Sequence, residues 1–217
     1  MRKLLITIFL LVGLVASLAA MDPAELNRVT FKNDTGFTIL FLFFSPGDSE
    51  WWGPDILGST MEFEDGDEMS FYIHYPEYSN EFDFMAVDED MDAYYKWNVE
   101  INDGEELYVE ISLADYEGDS AEDMNFSEII FTNVSDEDIW YMFLSPSDSE
   151  MWGIDVLDDE TIFSVGDTYE LLVPTGSEGT SYDLFAVDED GGTFYRSIEV
   201  SSRKDEWYID ITEADRN

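Results

Sequence analysis

The chain has 217 residues and no cysteine, and its 51 acidic and 9 basic side chains give a formal net charge of −42. This charge disfavours nucleic acid and anionic membrane surfaces as partners, because both are negative themselves. Cations, basic proteins and neutral glycans remain open as partners. Without cysteine no disulfide can form, so the fold must be stabilised by an apolar core, which a domain of about 90 residues can supply.

The first twenty residues have the three parts of a secretory signal. A positive start, Met1-Arg2-Lys3, precedes an apolar run from Leu4 to Leu18, and small residues allow cleavage after Ala19 or Ala20. We therefore predict a signal peptide at 1–20 and export to the periplasm or to the outside of a bacterial cell. An uncleaved anchor is the alternative, since the run reaches only the short limit for a membrane span.

The rest of the chain repeats itself with a period of 100 residues. Residues 29–117 and 129–217 align without a gap and share about 28 of 89 positions. A period this long matches a small domain rather than a solenoid unit. We predict an internal duplication that produces two domains, 21–114 and 129–217, joined by an acidic linker at 115–128.

Apolar and polar residues alternate within each repeat. Leu107, Val109 and Ile111 share one face of a run, whereas Tyr108 and Glu110 point the other way. This period of two predicts strands with one buried face, and turn-forming residues separate the runs. We predict an all-β fold, two tandem antiparallel β-sandwich domains of immunoglobulin-like size. In the first repeat the strands are expected near 28–33, 37–44, 60–64, 68–75, 82–88, 93–101 and 107–113.

The longest shared motif runs from Ser45 to Leu57 and returns from Ser145 to Leu157. Ser45 suits a helix N-cap and the next residue, a proline, suits the first helical position. Gly53 suits the end of a helical turn. The motif therefore predicts one helical turn that closes the end of each domain, and a cation site built on its acidic residues is the functional alternative.

Acidic loops follow one predicted strand in each repeat. They carry Asp88, Asp90 and Asp92 in the first copy, and Asp188 and Asp190 in the second. Carboxylates at alternate positions of a tight loop can converge on a hard cation such as Ca²⁺. The first loop lacks the glycine and the final glutamate of an EF-hand. We predict a weak Ca²⁺ site here, and a solvated acidic hairpin is the other interpretation.

Aromatic residues make up 16% of the chain. Four tryptophans, Trp51, Trp97, Trp140 and Trp207, have no tryptophan at the matching position of the other repeat. Alternation predicts that Trp97 and Trp140 are exposed. Exposed rings beside carboxylates favour carbohydrate binding, because ring faces stack on the apolar faces of sugars. The other interpretation is ordinary packing inside or between the sheets.

The sequence has no signature of catalysis. The single histidine, His74, aligns with Pro174, so a Ser–His–Asp triad is excluded in the second repeat. We expect His74 on the surface of a strand. A hydrolase would need two carboxylates in a concave cleft. We predict a non-catalytic binding or interaction protein, with Ca²⁺ as the first ligand considered. A carbohydrate-binding module and a purely structural acidic envelope protein are the alternatives.

Three segments of each repeat resemble a known pattern. They are Asn33 to Gly36, Ser45 to Leu57 and Ala86 to Tyr95, with a second set 100 residues later. They resemble an uncharacterised family of exported bacterial β-domains, with the pattern Asn-x-Thr-Gly, Ser-Pro-Ser-x-Ser-x-x-Trp-Gly-x-Asp-x-Leu and Ala-Val-Asp-x-Asp-Gly. Met91 departs from it, since the family has glycine there. The resemblance implies export and a β fold, and it implies no catalytic residue.

Overall fold

The computed structural model describes residues 26–58, 61–74, 80–102, 106–122, 124–158, 161–176, 179–201 and 206–217. The predicted signal peptide, 1–20, lies outside them. The fold is all-β, as predicted. The strands of the first repeat are β1 (Asn27–Asp34), β2 (Ile39–Pro46), β3 (Glu68–His74), β4 (Glu81–Asp88), β5 (Asp92–Glu100), β6 (Leu107–Ser112) and β7 (Tyr116–Ser120). Those of the second repeat are β8 (Phe126–Asn133), β9 (Ile139–Pro146), β10 (Gly153–Ile154), β11 (Thr168–Pro174), β12 (Thr180–Asp188), β13 (Thr193–Val200) and β14 (Glu206–Ile211).

Each repeat packs two sheets face to face. In the first repeat, β3-β1-β6 faces β2-β4-β5-β7, and in the second, β11-β8-β14 faces β13-β12-β9. Alternating residues of both sheets fill the core, as the period of two requires. Buried phenylalanines dominate it; in the first repeat Phe31 meets Phe84 edge to face at 5.0 Å. No helix in the described ranges is long and apolar enough to span a bilayer.

Among the strands that the structure describes, most pairs are antiparallel, and each repeat has one parallel pair. β6 runs parallel to β1, and β14 runs parallel to β8. A parallel pair needs a long connection between its strands. Here β2 to β5 lie between β1 and β6 along the chain, and β9 to β13 lie between β8 and β14, so a late strand of each repeat returns beside its first strand. Alternation cannot reveal this direction, because both pairings bury every second residue.

The structure changes two details of the strand prediction. The strand expected near 60–64 is reduced to a single bridge between Phe63 and Ile39. Strand β7 lies within the segment predicted as a linker, 115–128, where it pairs with β5 at the edge of the first repeat's sheet. Its alternation is hidden because all five of its residues are exposed.

The repeats share strands and cores. β10 of the second repeat adds to β3 of the first, and Met151 and Ile154 lie in the first repeat's core. At the equivalent place, where the first repeat meets β11 of the second, the backbone contact is a single hydrogen bond from the Asp55 N–H to the Leu172 carbonyl. On this side Pro174 takes the position of His74, the residue that pairs with Gly153 of β10. Proline has no N–H to donate, which keeps this side from forming a matching strand pair.

Candidate functional site

The motif shared by the repeats is extended, so the predicted helical turn is wrong. Ser45 and Pro46 end strand β2, and the chain then turns at Gly47 and Asp48. The Ser45 hydroxyl is buried and donates to the Trp51 carbonyl at 2.9 Å. It therefore closes a loop instead of capping a helix. The sequence has the local signals of an N-cap. However, backbone hydrogen bonds to the neighbouring repeat stabilise the extended segment more than a single isolated helical turn would be stabilised.

The two copies of the motif bind each other. Asp48 accepts a 2.6 Å hydrogen bond from the Ser149 hydroxyl and another from the Glu150 N–H. Asp148 accepts the corresponding bonds from the Ser49 hydroxyl, at 2.7 Å, and from the Glu50 N–H, at 2.9 Å. The contact is reciprocal, as in an isologous dimer interface. Keeping the motif in both copies is thus explained by the contact between them.

Two buried carboxyls of the same motif support this interface. One oxygen of Asp55 accepts from the N–H groups of Leu42 and Leu57, and Asp155 does the same in its own repeat. The other oxygen of Asp155 has no hydrogen-bond partner among the described residues. Burial raises the pKa of Asp55 to about 7 and that of Asp155 to about 8, against the lowering effect of the backbone bonds.

In the first acidic loop, two of the predicted cation ligands accept hydrogen bonds from the protein itself. Asp88 is buried, and one of its oxygens accepts from the N–H groups of Asp90 and Asp92. Its other oxygen accepts from the Tyr94 hydroxyl at 2.9 Å. Asp90 is exposed, and Asp92 accepts from the Tyr116 hydroxyl. The bonds to Asp88 hold the β4–β5 turn, as Asx side chains do.

The second acidic loop repeats this geometry with an arginine. One oxygen of Asp188 accepts from the N–H groups of Asp190 and Gly192, and the other pairs with Arg216 at 2.7 Å. Within the described part of the chain, no group of three or more His, Cys, Asp or Glu side chains is placed to hold a metal ion. The Ca²⁺ site stays a prediction.

The aromatic residues define a cleft between the repeats. Trp51 of the first repeat and Trp207 of the second line a space of about 670 Å³. Two carboxylates and several hydroxyls complete the wall, and among them are Asp148, Glu199, Thr180 and Ser181. Aromatic rings, carboxylates and hydroxyls in one open cleft are suited to a ligand that is apolar on its faces and rich in hydroxyls at its rim.

Neighbouring residues hold the Trp51 ring in place. A Cβ atom on Gly176 would lie 2.8 Å from Cζ3 of Trp51, so the ring packs against bare backbone there. The Tyr182 hydroxyl lies 3.2 Å from the carbonyl oxygen of Trp52, next along the chain. The ring is held, yet 43% of Trp51 stays exposed. An aromatic group held in advance loses little entropy when a ligand stacks on it.

The other half of the molecule lacks these two rings. Met151 aligns with Trp51 and is buried in the first repeat's core, and Leu107 aligns with Trp207. The aromatic cleft is therefore present at only one of the two equivalent positions in the duplicated chain. The lack of a matching tryptophan in the other repeat marks Trp51 and Trp207 in the sequence. No such signal marks Asp148 and Glu199, because one lies in the shared motif and the other in an ordinary strand.

The two other unmatched tryptophans lie elsewhere. The predicted exposure of Trp97 and Trp140 is confirmed, at 48% and 38%. Neither lines the cleft. The expectation that His74 is a surface residue is wrong. His74 pairs with Gly153, packs edge to face on Phe143 and has a buried Nδ1 without a partner among the described residues, and burial lowers its pKa.

Comparison with known proteins gives a distant structural likeness. No family model and no curated protein sequence matches the chain. A crystal structure of "a putative adhesin from Bacteroides ovatus ATCC 8483" is similar over 94% of this chain and 96% of that one, with 11% sequence identity and a TM-score of 0.25. A likeness this weak carries no argument about function.

Proposed function

We propose that this is an exported, non-catalytic binding protein that holds a neutral glycan in the cleft between its repeats. The observation that carries the proposal is the meeting of Trp51 and Trp207 in one cleft, beside Asp148 and Glu199. An aromatic ring can stack on the apolar face of a sugar. The carboxylates and hydroxyls of the cleft can form hydrogen bonds with the sugar's hydroxyl groups. A neutral ligand also avoids the repulsion that a chain of charge −42 exerts on anions.

The cleft is better suited to binding a glycan than to hydrolysing it. The two carboxylates of the cleft could suggest an acid–base pair, as in glycosidases. However, both oxygens of Asp148 already accept bonds from the first repeat, one from Ser49 and one from Glu50. A carboxylate that joins two halves of a molecule is poorly placed to exchange protons with a substrate. Export is supported by the signal pattern of residues 1–20.

The experiment that tests the function is a glycan array followed by calorimetry on the strongest hit. Trp51→Met and Trp207→Leu each place at the site the residue that the other repeat has at that position. We expect each to weaken binding at least about tenfold, because a tryptophan that becomes covered by a stacked ligand commonly contributes more than about 1.4 kcal/mol to binding. Trp140→Leu, also an exchange for the matching residue, removes an exposed ring outside the cleft and should leave binding unchanged.

Three outcomes would contradict the proposal. The array could show no neutral glycan bound, or the two cleft variants could bind as well as Trp140→Leu does. The hit could also be cleaved on incubation, with cleavage lost in Glu199→Gln, which would make the cleft an active site. Melting curves of all variants show whether each one is folded when binding is measured.

A further inference from the structure

A second aromatic cluster lies on the outer face of the first repeat's sheet, and none of its residues is among those that line the cleft. Tyr95 and Trp97 of β5 stack with ring centroids 5.0 Å apart and planes 7° apart. The Trp52 ring is tilted against both, 6.4 Å from Tyr95 and 5.9 Å from Trp97. We call these three residues the aromatic stack. Trp97 is its exposed end, with 48% of its surface in solvent.

The geometry of the aromatic stack limits what it can hold. The Tyr95 ring covers one face of Trp97, so the two rings stand upright on the sheet and do not form a flat platform. A sugar chain needs ring faces laid side by side towards solvent. A stack that ends in one exposed ring has room for one further planar group on that ring. Aromatic rings and guanidinium groups are planar groups that pack in this way.

Two carboxylates of β7 lie near the aromatic stack. The Glu117 carboxylate accepts a 3.0 Å hydrogen bond from Nε1 of Trp97. Burial raises the pKa of Tyr95, and the charges of Asp119 and Glu117 raise it further, so both acids lie within electrostatic reach of the stack. The second oxygen of Glu117 accepts no hydrogen bond from the described residues. Rings with carboxylates beside them attract a cation through the ring face and the charge together.

The same combination already holds an arginine elsewhere in this molecule. The Arg216 guanidinium lies 4.9 Å above the Phe194 ring and 2.7 Å from a carboxylate oxygen of Asp188. Phe194 and Asp188 align with Tyr94 and Asp88 of the first repeat. In the first repeat Tyr116 takes the position of Arg216 and supplies no cation. In the second repeat, an aromatic ring and a carboxylate thus hold a guanidinium group together.

We propose that the aromatic stack and Glu117 form a docking site for an arginine side chain of a basic partner protein. Charge complementarity argues for this occupant: a chain of charge −42 draws cationic partners toward it from a distance. The stack then distinguishes arginine from other cations, because the planar guanidinium stacks on Trp97 while its N–H groups reach the Glu117 carboxylate. This site is separate from the glycan cleft and does not depend on it.

The second repeat supplies the variant that tests the site. Ser197 stands at the position of Trp97, and its hydroxyl donates to Asp183 at 2.7 Å. Trp97→Ser is thus a substitution that the fold already accommodates in its other copy. It also leaves the net charge unchanged, so general attraction to basic peptides stays the same in the variant.

The measurement is calorimetric binding of a tetra-arginine and a tetra-lysine peptide to the full chain, in about 0.15 M NaCl to screen long-range attraction. We expect the wild type to prefer the arginine peptide, and Trp97→Ser to weaken arginine binding about five- to tenfold while lysine binding changes little. Glu117→Gln should reduce arginine binding more than Glu64→Gln, which removes the same charge from an exposed position outside the strands.

Equal affinities of Trp97→Ser and wild type for the arginine peptide would overturn the proposal, since the attraction would then be general. So would a loss of glycan binding in Trp97→Ser, because the stack would then serve sugars. Glu117→Gln keeps the proposal testable if Trp97→Ser fails to fold. Because the cleft variants Trp51→Met and Trp207→Leu leave the stack intact, failure of the glycan proposal is measured separately.

Discussion

At the scale of single residues, one phenylalanine shows how closely the repeats fit. The Phe44 ring lies between two glycines, Gly53 of its own repeat and Gly153 of the other. A Cβ atom on Gly153 would lie 2.3 Å from Cε2 of Phe44, and one on Gly53 would lie 3.0 Å from Cζ. Gly153 also has a φ of +75°, which L-residues with side chains rarely adopt. Glycine is required there by both space and backbone.

We therefore predict that Gly153→Ala lowers the free energy of unfolding by about 2 to 4 kcal/mol, from the clash with Phe44 and the left-handed backbone together. The matched control is Gly191→Ala. Gly191 has a similar φ of +81°, but no atom lies within 4 Å of a Cβ built there. It should cost only the backbone strain, about 1 to 2 kcal/mol. Urea unfolding measures both, and equal losses would show that Phe44 moves aside.

At the scale of elements, the extended segments that carry Asp55 and Asp155 depend on buried carboxyl groups. Each carboxyl holds its segment against the neighbouring strand through two backbone N–H groups. Burial raises the pKa of Asp55 to about 7 and that of Asp155 to about 8, from the usual 3.8. Between pH 4 and these values the folded state keeps both protons while the unfolded state has lost them. Folding is then favoured at low pH.

We predict that stability falls as pH rises from about 4 to 8, by on the order of 2 to 4 kcal/mol for each carboxyl. The double variant Asp55→Asn with Asp155→Asn should flatten this dependence, because an amide oxygen accepts the same N–H bonds and does not ionise. The variant should match the wild type near pH 4 and exceed it above pH 8. Urea unfolding across this pH range gives the comparison.

The control for this prediction is Asp90→Asn with Asp190→Asn, measured in the presence of a chelator. Both side chains are exposed, so this pair removes the same formal charge without touching a buried carboxyl. Its stability should keep the pH dependence of the wild type. If the two double variants behave alike, the dependence comes from the general repulsion of 51 acidic residues rather than from Asp55 and Asp155.

At the scale of the whole molecule, the charge of −42 sets how the fold responds to ions. Repulsion among the carboxylates opposes the compact state, and salt screens it. We predict that raising NaCl from about 0.02 to 0.5 M increases the melting temperature, since the Debye length falls well below about 10 Å. The unfolded chain is more expanded and gains less from the same screening.

The calcium hypothesis adds a distinct expectation to that experiment. A site at Asp88, Asp90 and Asp92, or at Asp188 and Asp190, predicts that millimolar Ca²⁺ raises the melting temperature beyond Mg²⁺ and NaCl at matched ionic strength. The extra shift should disappear in Asp90→Asn with Asp190→Asn. Equal shifts with all three salts would reject the hypothesis and assign these acids to the turns alone.

Several features of this protein could be predicted from its sequence because they depend on neighbours along the chain. The alternation of Leu107, Val109 and Ile111 predicts a strand, since every second side chain points to the same face. The same rule predicts correctly that Trp97 and Trp140 are exposed. The period of 100 residues also makes the unmatched tryptophans visible, and Trp51 and Trp207 among them line the cleft.

The other features depend on contacts between residues far apart in sequence. Ser45, with the proline after it, has the local signals of a helical turn, yet its segment pairs with the other repeat and stays extended. Asp88 looks like a cation ligand until its oxygens are seen to accept from its own turn and from Tyr94. His74 looks like a surface residue until the second repeat covers it.

Composition and alternation alone thus determined the all-β fold and the acidic surface, because backbone geometry and charge count act locally or by simple addition. Only the tertiary structure decided that Asp48 and Asp148 join the repeats, and that Trp51 reaches across to the cleft that holds Trp207. Such contacts connect positions about 100 or more residues apart. Which of many such pairs form depends on how the two sandwiches fit together, and no local pattern encodes that fit.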